Sequence, residues 1–376
     1  MNLWQYTNIN FIIPFVLAIV ISVILTKLIY EHYRKQNFVD IPGGRNLHDS
    51  PIVTGGGISI VILNIIALIY YNFSIIFIFP IIVISVLGFI DDKVDLSPLI
   101  RILTHFSCAF CILIWLGNFP VLDFGIVVIE NVYFRNLFGI VFISWFINLY
   151  NFMDGSDGFA TFQSIFISLS FIVFLLFLYY MQYVSTEILP TGFNYKLYAQ
   201  GVQEHHWVMT FENVLRLLII NVSVSIGFLF FNYPNAKIFM GDQGSNFLGL
   251  YLISIGLYIV YHLPQVSIWT ILIAYGLFFV DSTITLFRRF FKRQKWYLPH
   301  RSHCYQRFII SKQKTIPRKQ AHQKLLMYSS LINYLWLLPM SIFSVILVEY
   351  SFLIFLLSSM PLVYLSLYKY NEEFEV

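Results

Sequence analysis

Residues 266–287 read VSIWTILIAYGLFFVDSTITLF, and residues 288–324, directly after them, read RRFFKRQKWYLPHRSHCYQRFIISKQKTIPRKQAHQK. An apolar stretch long enough to cross a bilayer thus runs into a loop with twelve Lys or Arg. About 20 mostly apolar residues span a hydrocarbon core, and loops rich in Lys and Arg stay on the cytoplasmic side. These two segments set both the fold class and the orientation.

The rest of the chain agrees. Its 376 residues are 58% hydrophobic and 11% charged, where a soluble domain carries about 25% charged residues. The mean hydropathy is +0.74. A soluble protein of this size could not bury so much apolar surface, so lipid must be part of its solvent. The first apolar run, 8–30, has no basic residue before Lys27 and is too long for the core of a signal peptide, so it reads as a retained span.

Windowed hydrophobicity predicts an all-α polytopic membrane protein of one domain, 1–376, with about 10–11 spans. They fall near 8–30, 52–71, 73–90, 102–117, 136–150, 161–184, 214–231, 245–262, 266–287, 325–348 and 350–368. The third to fifth of these are short or ambiguous. Residues 118–135, with Pro120, Gly125 and alternating Val and Ile, read as an extended connection.

With the basic loop placed in the cytoplasm and the spans alternating, only Arg135, Lys196 and Arg216 of the 23 Lys and Arg fall on the other side. The N-terminus is then periplasmic, the C-terminus cytoplasmic, and 185–213 the one sizeable periplasmic loop. Cys108 and Cys111 have CxxC spacing inside an apolar run and read as packing, while Cys304 reads as a free thiol. The sequence has no GxGxxG and no P-loop. The aromatic residues read as lipid-facing and interfacial, so no nucleic-acid partner is expected.

This topology puts the polar clusters on one face. Asp91-Asp92-Lys93 ends the third span, Asn148 to Asp157 ends the fifth, and Asn232 to Asn246 joins the seventh and eighth. Arg45 and His48 lie in the first inner loop, and His300 to Arg307 in the basic one. Asp49, Asp95 and Glu130 read as ordinary solvated carboxylates. Asp91, Asp92, Asp154, Asp157 and Asp242 do not, because each sits within a turn or two of a long apolar run. Grouped carboxylates with few basic partners suit a divalent cation with oxygen ligands, and Mg²⁺ is the one that works with phosphates.

A phosphate acceptor and a nucleotide diphosphate bring several negative charges together. One like-charge pair at 4 Å costs about 4 kcal/mol at an effective dielectric near 20. Phosphoryl transfer therefore needs cations on these oxygens. Aspartate-held Mg²⁺ supplies one, and the His/Arg segment others: Arg301 presents a planar fork, and the histidines can donate. The bland readings are close packing for Gly55-Gly56-Gly57, an anionic-lipid anchor for the basic loop, and structural or interfacial roles for His105, His262 and His322.

Five segments together resemble the polyprenyl-phosphate N-acetylhexosamine-1-phosphate transferases. They are VDIPGGRNLHDSPIVTGGG (39–57), FIDDK (89–93), NLYNFMDGSDG (148–158), FNYPNAKIFMGDQGSNFLG (231–249) and PHRSHCYQR (299–307). The resemblance implies that Asp242, with Asp154, holds Mg²⁺, for which Mn²⁺ could substitute. It implies that Asp91 and Asp92 prepare the lipid phosphate, with Asp91 as base. Asn148, Asn151, Asp154 and Asp157 would organise nucleotide and metal, and Asn232 would approach the uridine. His300, Arg301 and His303 would hold the diphosphate and sugar, with Arg45 and His48 in the substrate-binding first loop. The implied partners are a UDP-N-acetylhexosamine, undecaprenyl phosphate, the lipid bilayer and a second copy in a homodimer. The implied location is a bacterial inner membrane, with the site on its cytoplasmic side.

Murein-branch enzymes carry a run of histidines where this chain has HRSH, and a lysine before the glycines near Ser50-Pro51. The chain looks more like the branch that starts O-antigen or other surface polysaccharides. Two alternatives stand beside it: a murein-precursor transferase, and a transporter or flippase for lipid-linked sugars. A transporter wants charges near mid-span.

Overall fold

A computed structural model describes residues 9–43, 47–188, 204–294 and 300–369. Arg45, most of the 185–213 loop and nearly all of 369–376 lie outside them. The described chain is a helical bundle. Helix α1 (Ile9–Lys35) leads to a short antiparallel pair, β1 (Val39–Asp40) and β2 (Ile52–Val53), then α2 (Ile58–Tyr70), α3 (Ile75–Val94) and α4 (Pro98–Leu116). A hairpin of β3 (Leu122–Asp123) and β4 (Val128–Ile129) precedes α5 (Val132–Phe152), α6 (Phe159–Ile188), α7 (Glu204–Asn232) and α8 (Asp242–His262). The chain continues through α9 (Ile268–Ala274), α10 (Gly276–Phe291), α11 (Cys304–Gln313), α12 (Arg318–Ile332), a π-helical turn (Asn333–Leu337), α13 (Leu338–Ile346) and α14 (Ser351–Tyr368).

Among the described residues nine helical segments are long and apolar enough to cross a membrane, ten with α9 and α10 counted as one span. The chain is therefore an all-α polytopic membrane protein. Two expectations need correction. The stretch 52–71 holds a helix of only 13 residues, roughly 20 Å long and short of a ~30 Å core. Its first apolar residues are used elsewhere: Val53 pairs with Val39 in the hairpin and bridges to Ile238. The stretch 266–287 is one apolar run but two helices, bent by 88° at Tyr275. Inside the bend, Gln163 Nε2 donates to the carbonyl of Ala274 (3.5 Å), and Asn333 Nδ2 donates to Gln163 Oε1 (2.9 Å). A break inside a bilayer is tolerated where such partners satisfy the backbone. Residues 118–131 form a non-helical connection, in which β3 and β4 pair Leu122 with Ile129 and Asp123 with Val128, but the last four residues of the expected stretch, 132–135, already belong to α5.

Helix α8 is the axis of the bundle. Its span is 83% buried, whereas that of α1 is 11% buried and turned outward. Helices α3 and α5 pack on α8, and α1 packs on α7. The crossing of α3 over α8 depends on Gly88. A Cβ there would lie 2.5 Å from the backbone of Asp242 and Gln243. This close approach sets the end of α3 beside the start of α8. Cys108 is buried and free, as expected of a packing residue.

Candidate active site

The site lies where the C-terminal ends of α3 and α5 meet the N-terminal end of α8. Asp92 joins the first and last of these. Its Oδ1 accepts from the backbone N–H of Asp242 (2.9 Å) and its Oδ2 from that of Gln243 (3.5 Å). A carboxylate at this place meets the unpaired donors and the positive end of the helix dipole. Gly241 makes the contact possible: its φ is +75°, and a Cβ would lie 2.6 Å from Asp92 Oδ2.

Helix α5 brings Asn151, whose Nδ2 donates to Asp242 Oδ1 (2.8 Å) and to Ser245 Oγ (3.1 Å). The turn after α5 carries Asp154. Burial first, then the charges of Asp242 and Asp92, hold the Asp154 carboxyl well above the ordinary carboxylate range. Asp91 is a neighbour of Asp242 as well. Asp91, Asp92, Asp154 and Asp242 thus gather from three distant stretches. Among the described residues only Asp91 has a basic partner: Arg101 Nε at 2.8 Å from its Oδ2.

Asp91 does not look like a base. Its Oδ1 accepts from the N–H of Leu96 (2.8 Å) and its Oδ2 faces Arg101, so both oxygens are engaged. Four other expected residues are also occupied within the fold. Asp157 is 1% exposed, pairs with Arg318 and accepts from the N–H of Ala236 (3.0 Å). Asn232 is 3% exposed; its Oδ1 accepts from Thr161 Oγ1 (2.8 Å), and its Nδ2 donates to the carbonyl of Ile238 (3.0 Å). That geometry anchors the 232–241 loop and engages both ends of the amide within the fold. His48 has Nε2 at 3.1 Å from Asp40 Oδ2 and packs edge-on against Phe239. Asn148 donates to the carbonyl of Ser144 (2.8 Å) and lies 3.0 Å from His105 Nδ1. Of the histidines read as structural, His322 has Nδ1 at 2.9 Å from Ser156 Oγ, and His262 packs on Tyr258.

The basic-loop motif is held against this end of the bundle by a residue the sequence reading passed over. Asp281, in α10, is 6% exposed. It accepts from the backbone N–H of Cys304 (2.8 Å) and Tyr305 (3.2 Å) and from Thr285 Oγ1 (3.1 Å). It caps α11 from outside and lies 3.8 Å from His303 Nδ1, close enough to orient the ring by charge. A carboxylate inside an apolar span was the available signal. Tyr305 donates its hydroxyl to the carbonyl of Phe152 (3.0 Å), and His303 stacks on the Phe152 ring (centroids 6.1 Å apart). The motif therefore rests on the segment that leads into Asp154. Arg307 is fully buried and donates to the carbonyls of Lys369 and Ser366, tying α11 to the end of α14. His300 Nδ1 accepts from the N–H of Ser302 (3.3 Å). Burial, aided by the charges of His303 and Arg289, lowers the His300 pKa to about 3. Its imidazole is neutral at neutral pH, with one nitrogen accepting and the other able to donate.

No three His, Cys, Asp or Glu side chains form a ready-made metal cage among the described residues. Mg²⁺ does not require one. It keeps several waters and binds through one or two carboxylates plus substrate phosphates. Asp242 and Asp154, crowded by other carboxylates, are chemically suited to that role.

Comparison with known proteins agrees with this geometry. Residues 73–260, half of the chain, match the model of glycosyl transferase family 4. The chain is 28% identical over 313 residues to a probable undecaprenyl-phosphate N-acetylglucosaminyl 1-phosphate transferase of Bacillus subtilis, covering 80% of this chain and 78% of that one. It is 24% identical over 302 residues to an undecaprenyl-phosphate alpha-N-acetylglucosaminyl 1-phosphate transferase of Thermotoga maritima, covering 79% and 82%. A phospho-N-acetylmuramoyl-pentapeptide-transferase of Leuconostoc mesenteroides is 29% identical over 231 residues, 58% of each chain.

Proposed function

The chain belongs to glycosyl transferase family 4, and from that premise we propose that it transfers an N-acetylhexosamine-1-phosphate from a UDP-sugar to undecaprenyl phosphate. The products are undecaprenyl-diphosphate-sugar and UMP. The observation that carries this reading is the convergence of Asp91, Asp92, Asp154 and Asp242 at one end of a membrane bundle, with the His300–His303 segment docked beside them. That end faces the cytoplasm of a bacterial inner membrane, where a soluble nucleotide and a lipid head group can meet.

An oxygen of the lipid phosphate attacks the phosphorus next to the sugar. A bond forms there as the bond from that phosphorus to the bridging oxygen breaks, and the bridging oxygen leaves on UMP. A phosphate monoester loses its second proton near pH 6, so the attacking group is already largely ionised at neutral pH and needs little help from a base. This fits the engaged oxygens of Asp91. Asp91 and Asp92 act by position: Asp91 fixes the turn between α3 and α4 through Leu96 and Arg101, and Asp92 fixes the start of α8. Asp242 and Asp154 would hold Mg²⁺, which would supply positive charge to the diphosphate. Arg301 forks onto the diphosphate, and neutral His300 donates to an oxygen that gains charge.

The polyprenyl chain has a suitable place. An apolar cavity of about 520 Å³ runs along α5 and the bent α9–α10 pair, lined by Phe138, Val141, Trp145, Leu286 and Phe287 among others. The carboxylates Asp91, Asp92, Asp154 and Asp242 and the His/Arg motif gather at one end of the bundle rather than at mid-span, which favours transfer chemistry over transport. Two relatives named for N-acetylglucosaminyl 1-phosphate transfer match about four fifths of the chain, while the murein-type relative from Leuconostoc matches 58%. We therefore favour UDP-GlcNAc or a 6-deoxy relative, in the start of O-antigen or another surface polysaccharide, over a murein precursor. A panel of UDP-sugars offered to the purified protein with undecaprenyl phosphate tests this, with the lipid product identified by mass. A product bearing a muramoyl-pentapeptide and none bearing a simple hexosamine would reverse the choice.

A further inference from the structure

A cavity of about 670 Å³ opens at the carboxylate end of the bundle, between the end of α1, the β1–β2 connection, the 232–241 loop and the start of α12. It shares no lining residue with the cluster of Asp91, Asp92, Asn151, Asp154 and Asp242, nor with His300 or His303. Its wall carries Arg34, Lys237, Arg318 and Lys319, four cations from three distant stretches. Arg318 is committed to Asp157. Arg34, Lys237 and Lys319 are exposed, and no carboxylate pairs with them among the described residues. Asp49 is the single acidic residue of the lining, and it is exposed.

Cations gathered on one concave wall repel one another, and an anion held between them removes that penalty. The volume is in the range of small-molecule pockets. The height of the site narrows the chemistry. Arg34 lies at the inner end of the Ile13–Lys35 span and Lys319 at the start of the Arg318–Ile346 span, with Tyr30 in the wall one turn before Arg34. Basic and aromatic side chains at span ends sit at the level of lipid head groups.

We propose that this cavity is a second anion site, separate from the carboxylate cluster, that binds a phosphate-bearing group. It stands whether or not the transferase reading holds. Each cation near an anionic membrane surface contributes about fivefold in affinity, so removing three should lower it on the order of a hundredfold.

The test uses the full chain in neutral detergent and native mass spectrometry with three probes: short-chain phosphatidylglycerol, short-chain phosphatidylcholine and inorganic phosphate. The wild type is compared with the combined variant Arg34→Gln, Lys237→Gln, Lys319→Gln. Phosphatidylglycerol binding that the variant loses, with no competition from inorganic phosphate, would identify a lipid head group. Inorganic phosphate binding with the same loss would identify a soluble phosphate. If the combined variant does not fold, Lys237→Gln alone, on an exposed loop position, should weaken binding about fivefold. Equal binding by wild type and variant, or equal loss for phosphatidylcholine, would overturn the proposal.

Discussion

Replacing Asp281 by Asn should disable the enzyme without unfolding it. The carboxylate receives two backbone N–H groups at the start of α11, at 2.8 and 3.2 Å. Hydrogen bonds to a charged group contribute about 1.5–3 kcal/mol each. Asn retains one acceptor oxygen but sets an NH₂ group where the other donor points. The loss in docking α11 is then about 2–4 kcal/mol. At about 1.4 kcal/mol per tenfold, the ratio of docked to undocked motif falls roughly thirtyfold to several hundredfold. Tyr305 and Arg307 keep their own contacts to Phe152 and the end of α14, so the bundle should survive. The expected result is a kcat lower by about a hundredfold, the scale of a misplacement near 1 Å, with a smaller change in KM. Cys304 gives an independent readout. Its thiol is pushed up to about 12, mainly by burial, so alkylation of the wild type should be slow and that of the variant faster. A folded Asp281→Asn protein with wild-type kcat and unchanged Cys304 reactivity would refute the positioning role.

Other outcomes follow from the same geometry. Arg301→Lys should reduce kcat/KM by at least tenfold, since a point charge cannot replace a bidentate fork; equal turnover would remove that role. Gly241→Ala places a Cβ 2.6 Å from Asp92 Oδ2 at a backbone φ of +75°, costing about 1–2 kcal/mol in conformation alone, and turnover should fall with a measurable drop in Tm. Asp154 has a raised pKa in the folded protein. Between the unfolded value near 3.9 and that raised value, the native chain binds more protons, so stability without Mg²⁺ should fall as pH rises. Thermal unfolding in EDTA across a pH series should show this slope, and Mg²⁺ or Asp154→Asn should make it shallower. A slope of the opposite sign in the EDTA series would exclude Asp154 as its source.

Most of the bundle was legible because a bilayer imposes length and hydropathy on each span. All eleven apolar stretches contain helix. What escaped was backbone geometry decided by partners far along the chain. The run 52–71 is mostly apolar, yet Val53 lies outside the helix and pairs with Val39 and Ile238. The bend at Tyr275 has no proline or polar gap to announce it, because Gln163 and Asn333 stabilise it from other helices. The carboxylate cluster was legible as residue types at span ends. Its internal division was not. Whether a carboxylate is open or occupied depends on neighbours such as Arg101 for Asp91 and Arg318 for Asp157. Asp281 sat in plain view inside the span 266–287, and only its reach to Cys304 and Tyr305 shows why a charge is kept there.

The most direct test follows the phosphorus. UDP-GlcNAc labelled with ³²P at the phosphate next to the sugar is incubated with purified protein and undecaprenyl phosphate, after EDTA treatment, with and without added Mg²⁺. The label should enter the lipid fraction only when Mg²⁺ is present, with UMP released in equal amount, and the Asp242→Ala protein should transfer none. Release of labelled UDP, transfer undiminished in EDTA, or wild-type transfer by Asp242→Ala would contradict a magnesium-dependent phosphosugar site built from these carboxylates.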